Sequence, residues 1–331
     1  MHMSTQPGLI PPDDASTPRL SIHPGDHQTI RAELVAGLQA EPAFISPKFL
    51  YDALGSRLFE AICMLPEYYP TRVEADIFAQ YQQDIAQAVG QGSTFIDLGA
   101  GNCAKAEQLF PAIKPRHYVA IDISSDFLSE ALTPLRQRFP AIDMMGIGMD
   151  FSACLNMPDT TPPEKRVFFY PGSSIGNFSP IEAQAFLRRL HTACGPDGAV
   201  LIGVDLIKSD VILNAAYDDA LGVTAAFNLN LLRNLNRLLD ANFDAHDWVH
   251  RAFFNASHKR VEMHLQARRQ VTVKWPGGSR HFDRGDDIHT ENSYKYTPQS
   301  FSALLTHAGF DRIRLWTDPD NWFAVLYAQP A

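Results

Sequence analysis

The residues with the clearest chemical use are two glycines and an aspartate. Phe95-Ile-Asp-Leu-Gly-Ala-Gly-Asn-Cys-Ala-Lys105 starts in an apolar run from Thr94, reaches Gly99-Ala100-Gly101 and goes on as a helix-like stretch through Leu109, Phe110 and Ile113. A strand, a glycine turn and a helix start in that order bring backbone close to a ligand and offer it free N–H groups. In Tyr118-Val-Ala-Ile-Asp122 an acid then ends the next strand, about 20 residues after the turn. A carboxylate there can accept from both hydroxyls of a ribose. The combination indicates a nucleoside-bearing cofactor in a Rossmann-like unit, without saying which cofactor.

The elements that must position these residues alternate. Strand-type runs over 94–98, 117–122, 143–148, 166–171 and 198–205 separate helical stretches over 103–113, 125–137 and 180–194. Such alternation predicts a mostly parallel sheet with right-handed crossovers, whose ligands sit beyond the carboxyl ends of the strands. Gly99–Asn102, Asp122–Ser125, Asp150-Phe151 and Pro171–Asn177 all fall at those ends. Ahead of the first strand, 28–38 and 73–89 have helical spacing, and an apolar-patterned 47–62 stops at the rigid turn Leu65-Pro-Glu-Tyr-Tyr-Pro70. After Asp205 the alternation ceases: 209–240 is helical, then come strand-type runs over 248–254, 260–267 and 270–275, a turn at Gly277-Gly278-Ser279 and a polar alternating run over 287–296. A helix begun by Thr297 as N-cap and two strands, 310–316 and 322–329, close the chain. The expected organisation is a disordered tail (1–19), a substrate-binding domain (20–71 plus 206–296) and a cofactor-binding domain (72–205 plus 297–331).

The totals fit that plan. The 331 residues accommodate two modest domains. A net charge of −9 disfavours a nucleic-acid partner. With no membrane-spanning apolar run and no secretory pattern at the start, a cytoplasmic protein without a membrane partner is expected. The four cysteines are far apart and the twelve histidines lack ligand spacing, so reduced thiols and no metal are expected.

Gly99-Ala-Gly-Asn-Cys-Ala104 also satisfies the dinucleotide pattern, so the glycines alone leave a nicotinamide-dependent dehydrogenase open. Two features favour S-adenosylmethionine. Asp97, two residues before the first glycine, resembles the acidic position in the turn of class I methyltransferases, and the closing α–β–β pattern resembles the reversed hairpin of their sheet. One departure is Cys103, where many such enzymes have a third glycine. In this reading Gly99 passes against the methionyl part, Lys105 meets the cofactor carboxylate, Asp122 takes the ribose, Asp150 accepts from the adenine amino group and Phe151 packs on the ring. Plainer readings stand beside these: a solvated lysine, a strand-end aspartate, an Asx turn next to a core phenylalanine.

Tyr51-Asp-Ala-Leu-Gly-Ser-Arg-Leu-Phe59, Leu65-Pro-Glu-Tyr-Tyr-Pro-Thr-Arg72, Tyr170-Pro-Gly-Ser-Ser-Ile-Gly-Asn-Phe178, Tyr217-Asp-Asp-Ala-Leu-Gly-Val-Thr-Ala-Ala-Phe-Asn228 and Ile288-His-Thr-Glu-Asn-Ser-Tyr-Lys-Tyr296 together resemble the histidine Nα-methyltransferases of ergothioneine biosynthesis. The resemblance implies a Rossmann-like class I sheet with an inserted α+β substrate-binding domain. It also implies three methyl transfers from S-adenosylmethionine to the α-nitrogen of L-histidine, giving hercynine. L-histidine is the expected partner, and a monomer is expected separately from the resemblance. Residue by residue it places Gly99, Lys105, Asp122, Asp150 and Phe151 at the cofactor. It places Tyr68, Asn177 and Tyr217 at the backbone end of the amino acid, with Tyr51 and Gly172 lining that end. Glu291 and Ser293 fall on the imidazole, with Met263 beside the ring. Tyr51 and Asn177 are the residues nearest the chemistry. The alternative acceptor is another amino acid such as tryptophan.

The chemistry of these residue types agrees. Methyl transfer from a sulfonium is an in-line displacement, so holding the amino acid by its backbone end orients the lone pair. A site that methylates three times meets an amine with fewer N–H donors at each round, which suits neutral groups such as Tyr51 and needs no strong base. Glu291 and Ser293, two apart on a strand, point to one side, with Asn292 turned away. One charge-assisted bond to an imidazole N–H is worth roughly 1.5–3 kcal/mol. Apart from the resemblance, Glu291 reads equally as half of a surface ion pair with Lys295 or Arg284.

Overall fold

The computed structural model describes residues 19–22, 27–152 and 155–331. Of the tail expected to be disordered (1–19), residues 1–18 lie outside the described residues, as does Cys154, whereas Arg19 belongs to a strand. In chain order the strands are β1 (Arg19–Ile22), β2 (Ala43–Phe44), β3 (Thr94–Leu98), β4 (His117–Asp122), β5 (Asp143–Gly148), β6 (Arg166–Tyr170), β7 (Ala199–Asp205), β8 (Trp248–Asn255), β9 (Arg260–Ala267), β10 (Val271–Trp275), β11 (Gly278–Phe282), β12 (Asp287–Tyr294), β13 (Phe310–Thr317) and β14 (Phe323–Pro330). The helices are α1 (His27–Gln39), α2 (Ala53–Cys63), α3 (Tyr69–Gln80), α4 (Gln82–Val89), α5 (Ala104–Ile113), α6 (Ser125–Arg138), α7 (Pro180–Cys194), α8 (Asp210–Tyr217), α9 (Val223–Leu239) and α10 (Pro298–His307).

The larger sheet runs β1-β5-β4-β3-β6-β7-β14-β13. It is parallel from β1 to β7, with β14 antiparallel to β7 and β13 antiparallel to β14. Phe95, Tyr118 and Phe169 face α3 to α6, whereas Ile96, Val119 and Phe168 face α7 and α10. Burial on both faces explains why these strands read as unbroken apolar runs. A capping box at Ser179 and Glu182 starts α7, and Thr297 with Ser300 starts α10. The smaller sheet, β2-β12-β9-β8, and the hairpin β10-β11 share a separate core with α1, α2, α8 and α9, in which Leu34, Leu50, Leu231, Trp248 and Leu265 are buried. Among the described residues no helix is long and apolar enough to cross a membrane.

Several boundaries differ from expectation. β1 pairs with β5, so residues 19–22 edge the larger sheet instead of joining the 20–71 segment. The helix read over 73–89 begins at Tyr69 and divides at Tyr81. The helix read over 209–240 divides between Tyr217 and Val223, where Gly222 adopts φ +74° and the Asp219 carboxylate accepts from the N–H groups of Val223 and Thr224. The residues after Gly277 form β11, not just a turn.

Candidate active site

The chain leaves β3 towards β4 and β5 on one side and β6 towards β7 on the other, so the loops after β3 and β6 meet at a switch point. A cavity of about 1280 Å³ opens there. At one end Gly99 and Gly101 hold φ of +72° and +53°. A Cβ on Gly99 would stand 3.9 Å from the Phe151 ring, and one on Gly101 would meet open space. This cradle is walled by backbone, as close approach of a flat nucleoside and its chain requires. The Asp122 carboxylate accepts from Gly101 N and Ser124 N, both at 2.9 Å. Burial still holds its pKa above the ordinary range. Asp97 lies beneath the turn and also reaches the cavity. Its Oδ2 accepts from the Tyr118 hydroxyl at 2.8 Å, its Oδ1 has no partner, and burial pushes its pKa up to about 7.

Two cations of this end are already paired. Lys105 Nζ donates to Glu74 Oε2 at 2.7 Å, and Gly172 N donates to Glu74 Oε1 at 2.8 Å. Glu74, fully buried on α3, therefore joins the loop after β6 to the cation on α5. Lys48 Nζ bridges Glu33 at 2.7 Å and Asp150 at 2.9 Å. Burial works against the Asp150 carboxylate, but the Ser152 hydroxyl and then Lys48 outweigh it and hold its pKa low. Phe151 stands edge-on to Tyr170 at 5.7 Å.

Tyr51, Tyr68, Gly172, Asn177 and Glu291 line the other end of the same cavity. Tyr51 is held edge-on by Phe59 at 5.5 Å and Phe227 at 5.4 Å. Burial, and then the charge of Glu291, keep its hydroxyl protonated well past the usual pH. Glu291 owes its direction to a slip in pairing. His289 faces His264 and Glu291 faces Met263, so Thr290 is an extra residue in β12. The shift at Thr290 pairs Glu291 with Met263 and Ser293 with Val261, while His289 and Asn292 pair with His264 and Glu262; Asn292, expected to turn away, lines the cavity with His289, Thr290 and Glu291. Burial pushes the Glu291 pKa up to about 7, with Lys295 pulling the other way.

Three expected site residues stand behind this wall. Met263 is buried across β9 from Glu291. Ser293 is also buried, its Oγ 2.7 Å from both the Tyr217 hydroxyl and Lys295 Nζ. Tyr217, expected at the backbone end, is bonded into this Ser293 group instead, although its ring touches Tyr68 at 6.1 Å. Nor is Lys295 a surface partner of Glu291: it is fully buried and pairs with Asp205 at 2.7 Å. Asp205 also accepts from the Tyr69 hydroxyl and Lys208. Despite its burial, the two lysines hold its pKa below the ordinary range.

Glu74, Lys48, Asp205 and Lys295 were not read as site residues. Glu74 left a signal, an acid on the apolar stripe of Ile77, Phe78 and Tyr81; the others gave none locally. The histidines, expected not to cluster, do so through strand pairing: Glu262, His264 and His289 bring potential ligand atoms within 4.8 Å of one another. Glu262 is meanwhile paired to Arg260 at 2.7 Å, and the His264 ring stacks on His289 at 4.6 Å.

A family model described as histidine-specific methyltransferase, SAM-dependent, matches residues 30–330. Histidine N-alpha-methyltransferase of Mycobacterium tuberculosis is 36% identical over 91% of this chain and 95% of its own length. Ergothioneine biosynthesis protein 1 of Neurospora crassa is 30% identical over 87% of this chain, which spans 33% of that protein. Among solved structures, 1,6-didemethyltoxoflavin-N1-methyltransferase of Burkholderia thailandensis with S-adenosylhomocysteine bound aligns over 84% of this chain and 87% of its own, at 13% identity and a TM-score of 0.44. The family and sequence matches do not favour a dehydrogenase.

Proposed function

Because the chain belongs to the SAM-dependent, histidine-specific methyltransferase family, we propose that it methylates the α-nitrogen of L-histidine three times, giving hercynine, the first step towards ergothioneine. The observation that carries this reading is one cavity walled at one end by Gly99 and Asp122 and at the other by Asn177 and Glu291. When bound, S-adenosylmethionine supplies a methyl group on a sulfonium, open to displacement by a neutral amine. The chain's own residues do the rest. The Gly99 turn, Asp122 and Lys105 hold the donor, while Asp150 and Phe151 bound its adenine side. Tyr68 and Asn177 hold the carboxylate end of the amino acid and aim its nitrogen. Tyr51 stays a neutral hydroxyl, so it tolerates an amine that loses an N–H at every round. Glu291 accepts from the imidazole N–H, a partner that a leucine or phenylalanine would leave unpaired. An indole has a single donor and no acceptor nitrogen, which speaks against tryptophan.

Mass spectrometry of the protein with histidine and S-adenosylmethionine should show gains of one, two and finally three methyl groups. Unmodified histidine, or tighter calorimetric binding of tryptophan than of histidine, would refute the reading.

A further inference from the structure

Three aromatic side chains, Tyr51, Phe59 and Tyr68, line one part of the cavity, and all come from the continuous stretch around α2. Successive rings stand nearly at right angles: Tyr51 to Phe59 at 5.5 Å and 75°, Phe59 to Tyr68 at 6.1 Å and 78°. Phe227 of α9 backs the first two and Tyr217 of α8 backs the third, which fixes their orientation. Beyond its burial, the Tyr51 hydroxyl is held protonated by the negative charge of Glu291 at the acceptor end and, more weakly, of Asp122 at the cofactor end. This ring therefore stands between the two ends, in a place where the nearby charges favour a cation.

A positive charge has to pass through this place. As the amine lone pair forms its bond to the methyl carbon, the carbon–sulfur bond breaks and its electron pair stays on sulfur, so the charge moves from sulfur to nitrogen. After each of the first two rounds a proton leaves to water and restores a lone pair. After the third nothing can leave, and the nitrogen is a quaternary cation with no N–H for any acceptor. Non-directional attraction then has to replace the hydrogen bonds, and the faces of aromatic rings supply it. We propose that Phe59, with Tyr51 and Tyr68, forms an aromatic cage for the methylated α-nitrogen, binding the trimethylammonium group through its charge as well as its apolar surface. Carboxylate and nitrogen share one carbon, so a Tyr68 hydroxyl that takes the first carries its ring beside the second. The assignment rests on histidine being the acceptor. It goes beyond that reading by giving Phe59 a role and naming the force that takes over as N–H groups are lost.

The test is calorimetry on the full-length protein saturated with S-adenosylhomocysteine, titrated with the trimethylated product and with its neutral isostere, in which a tert-butyl group replaces trimethylammonium. The wild type should bind the product ~10-fold more tightly than the isostere, and Phe59→Leu should shrink that ratio to ~2-fold. Mono-, di- and trifluorinated phenylalanine at position 59 keep the ring's shape and should shrink the ratio step by step. Fluorine drains the ring face without altering the carboxylates, so this series separates the rings from Glu291 and Asp122. Equal binding of product and isostere by the wild type would overturn the proposal, as would a ratio that the fluorinated rings leave unchanged. These two measurements decide the matter even if Phe59→Leu fails to fold. Failure of both histidine and the product to bind would instead overturn the acceptor reading, and the cage with it.

Discussion

The two ends of the cavity are built differently. At the cofactor end the key carboxylate, Asp122, is held by backbone N–H groups of Gly101 and Ser124, one of them two residues away. At the acceptor end the polar groups are held by other side chains: Lys295 by Asp205, Ser293 by Tyr217, Tyr51 by aromatic rings from α2 and α9. Backbone support is local and persists through most substitutions. Side-chain support ties together distant segments, Tyr217 with Ser293 being 76 residues apart, and changes with any of them. The Gly99–Asp122 turn can stay constant while the side-chain pairs, Lys105 with Glu74 and Lys48 with Asp150 at this end and the Lys295 group at the other, are retuned.

Four measurements break or sharpen this contrast. Asp122→Ala removes both ribose acceptors, and calorimetry should show S-adenosylhomocysteine binding ~100-fold weaker, the size of two charge-assisted bonds at the low end of their range. Loss of histidine binding to the same extent would mean the ends are not separate. Glu291→Ala should weaken histidine by ~30-fold with cofactor affinity nearly intact; a collapse of both would make the residue structural. Glu74→Gln probes a side chain that touches both Lys105 and the loop after β6. Its amide keeps an acceptor for Gly172 N but loses the charge opposite Lys105, so both ligands should weaken together by ~5-fold in KM. An effect on one ligand alone would show that Glu74 does not join them.

The smallest effect concerns stability. The folded pKa of Glu291 lies above its unfolded value, so the folded state binds the proton more tightly. Its carboxylate costs nothing below the unfolded pKa, costs more as pH rises towards about 7, and costs a constant amount above that. Glu291→Gln should therefore stabilise the ligand-free protein at pH 8, on the order of 1 kcal/mol, and leave it unchanged at pH 4. Thermal unfolding at the two pH values checks this, and equal shifts would sink it.

The same contrast explains what could be read from the chain. Glycines at positive φ and an acid ending an apolar run are local, and Gly99, Gly101 and Asp122 announced themselves. Parallel strands buried on both faces carry long apolar runs, so β3 to β7 stood out. β1 did not, because four residues on a sheet edge need little apolar pattern. Breaks at Tyr81 and Gly222 were missed because helical spacing continues across them. Asp205, Lys48 and Lys295 stayed silent because each gains its meaning from a partner on a distant element. Glu291 and Ser293 could be named only through the resemblance of whole segments.

The surplus residue at Thr290 has a consequence of its own. On either side of it β12 alternates regularly, but the two halves run out of step. Loss of that one residue would bring the halves into step and leave Glu291 opposite Met263, whereas keeping it in regular pairing would put Thr290 opposite Met263 and turn the glutamate outwards. The side chains offered to the ligand are thus chosen here by how β12 pairs with β9, and comparisons between such chains should match that pairing before they compare identities.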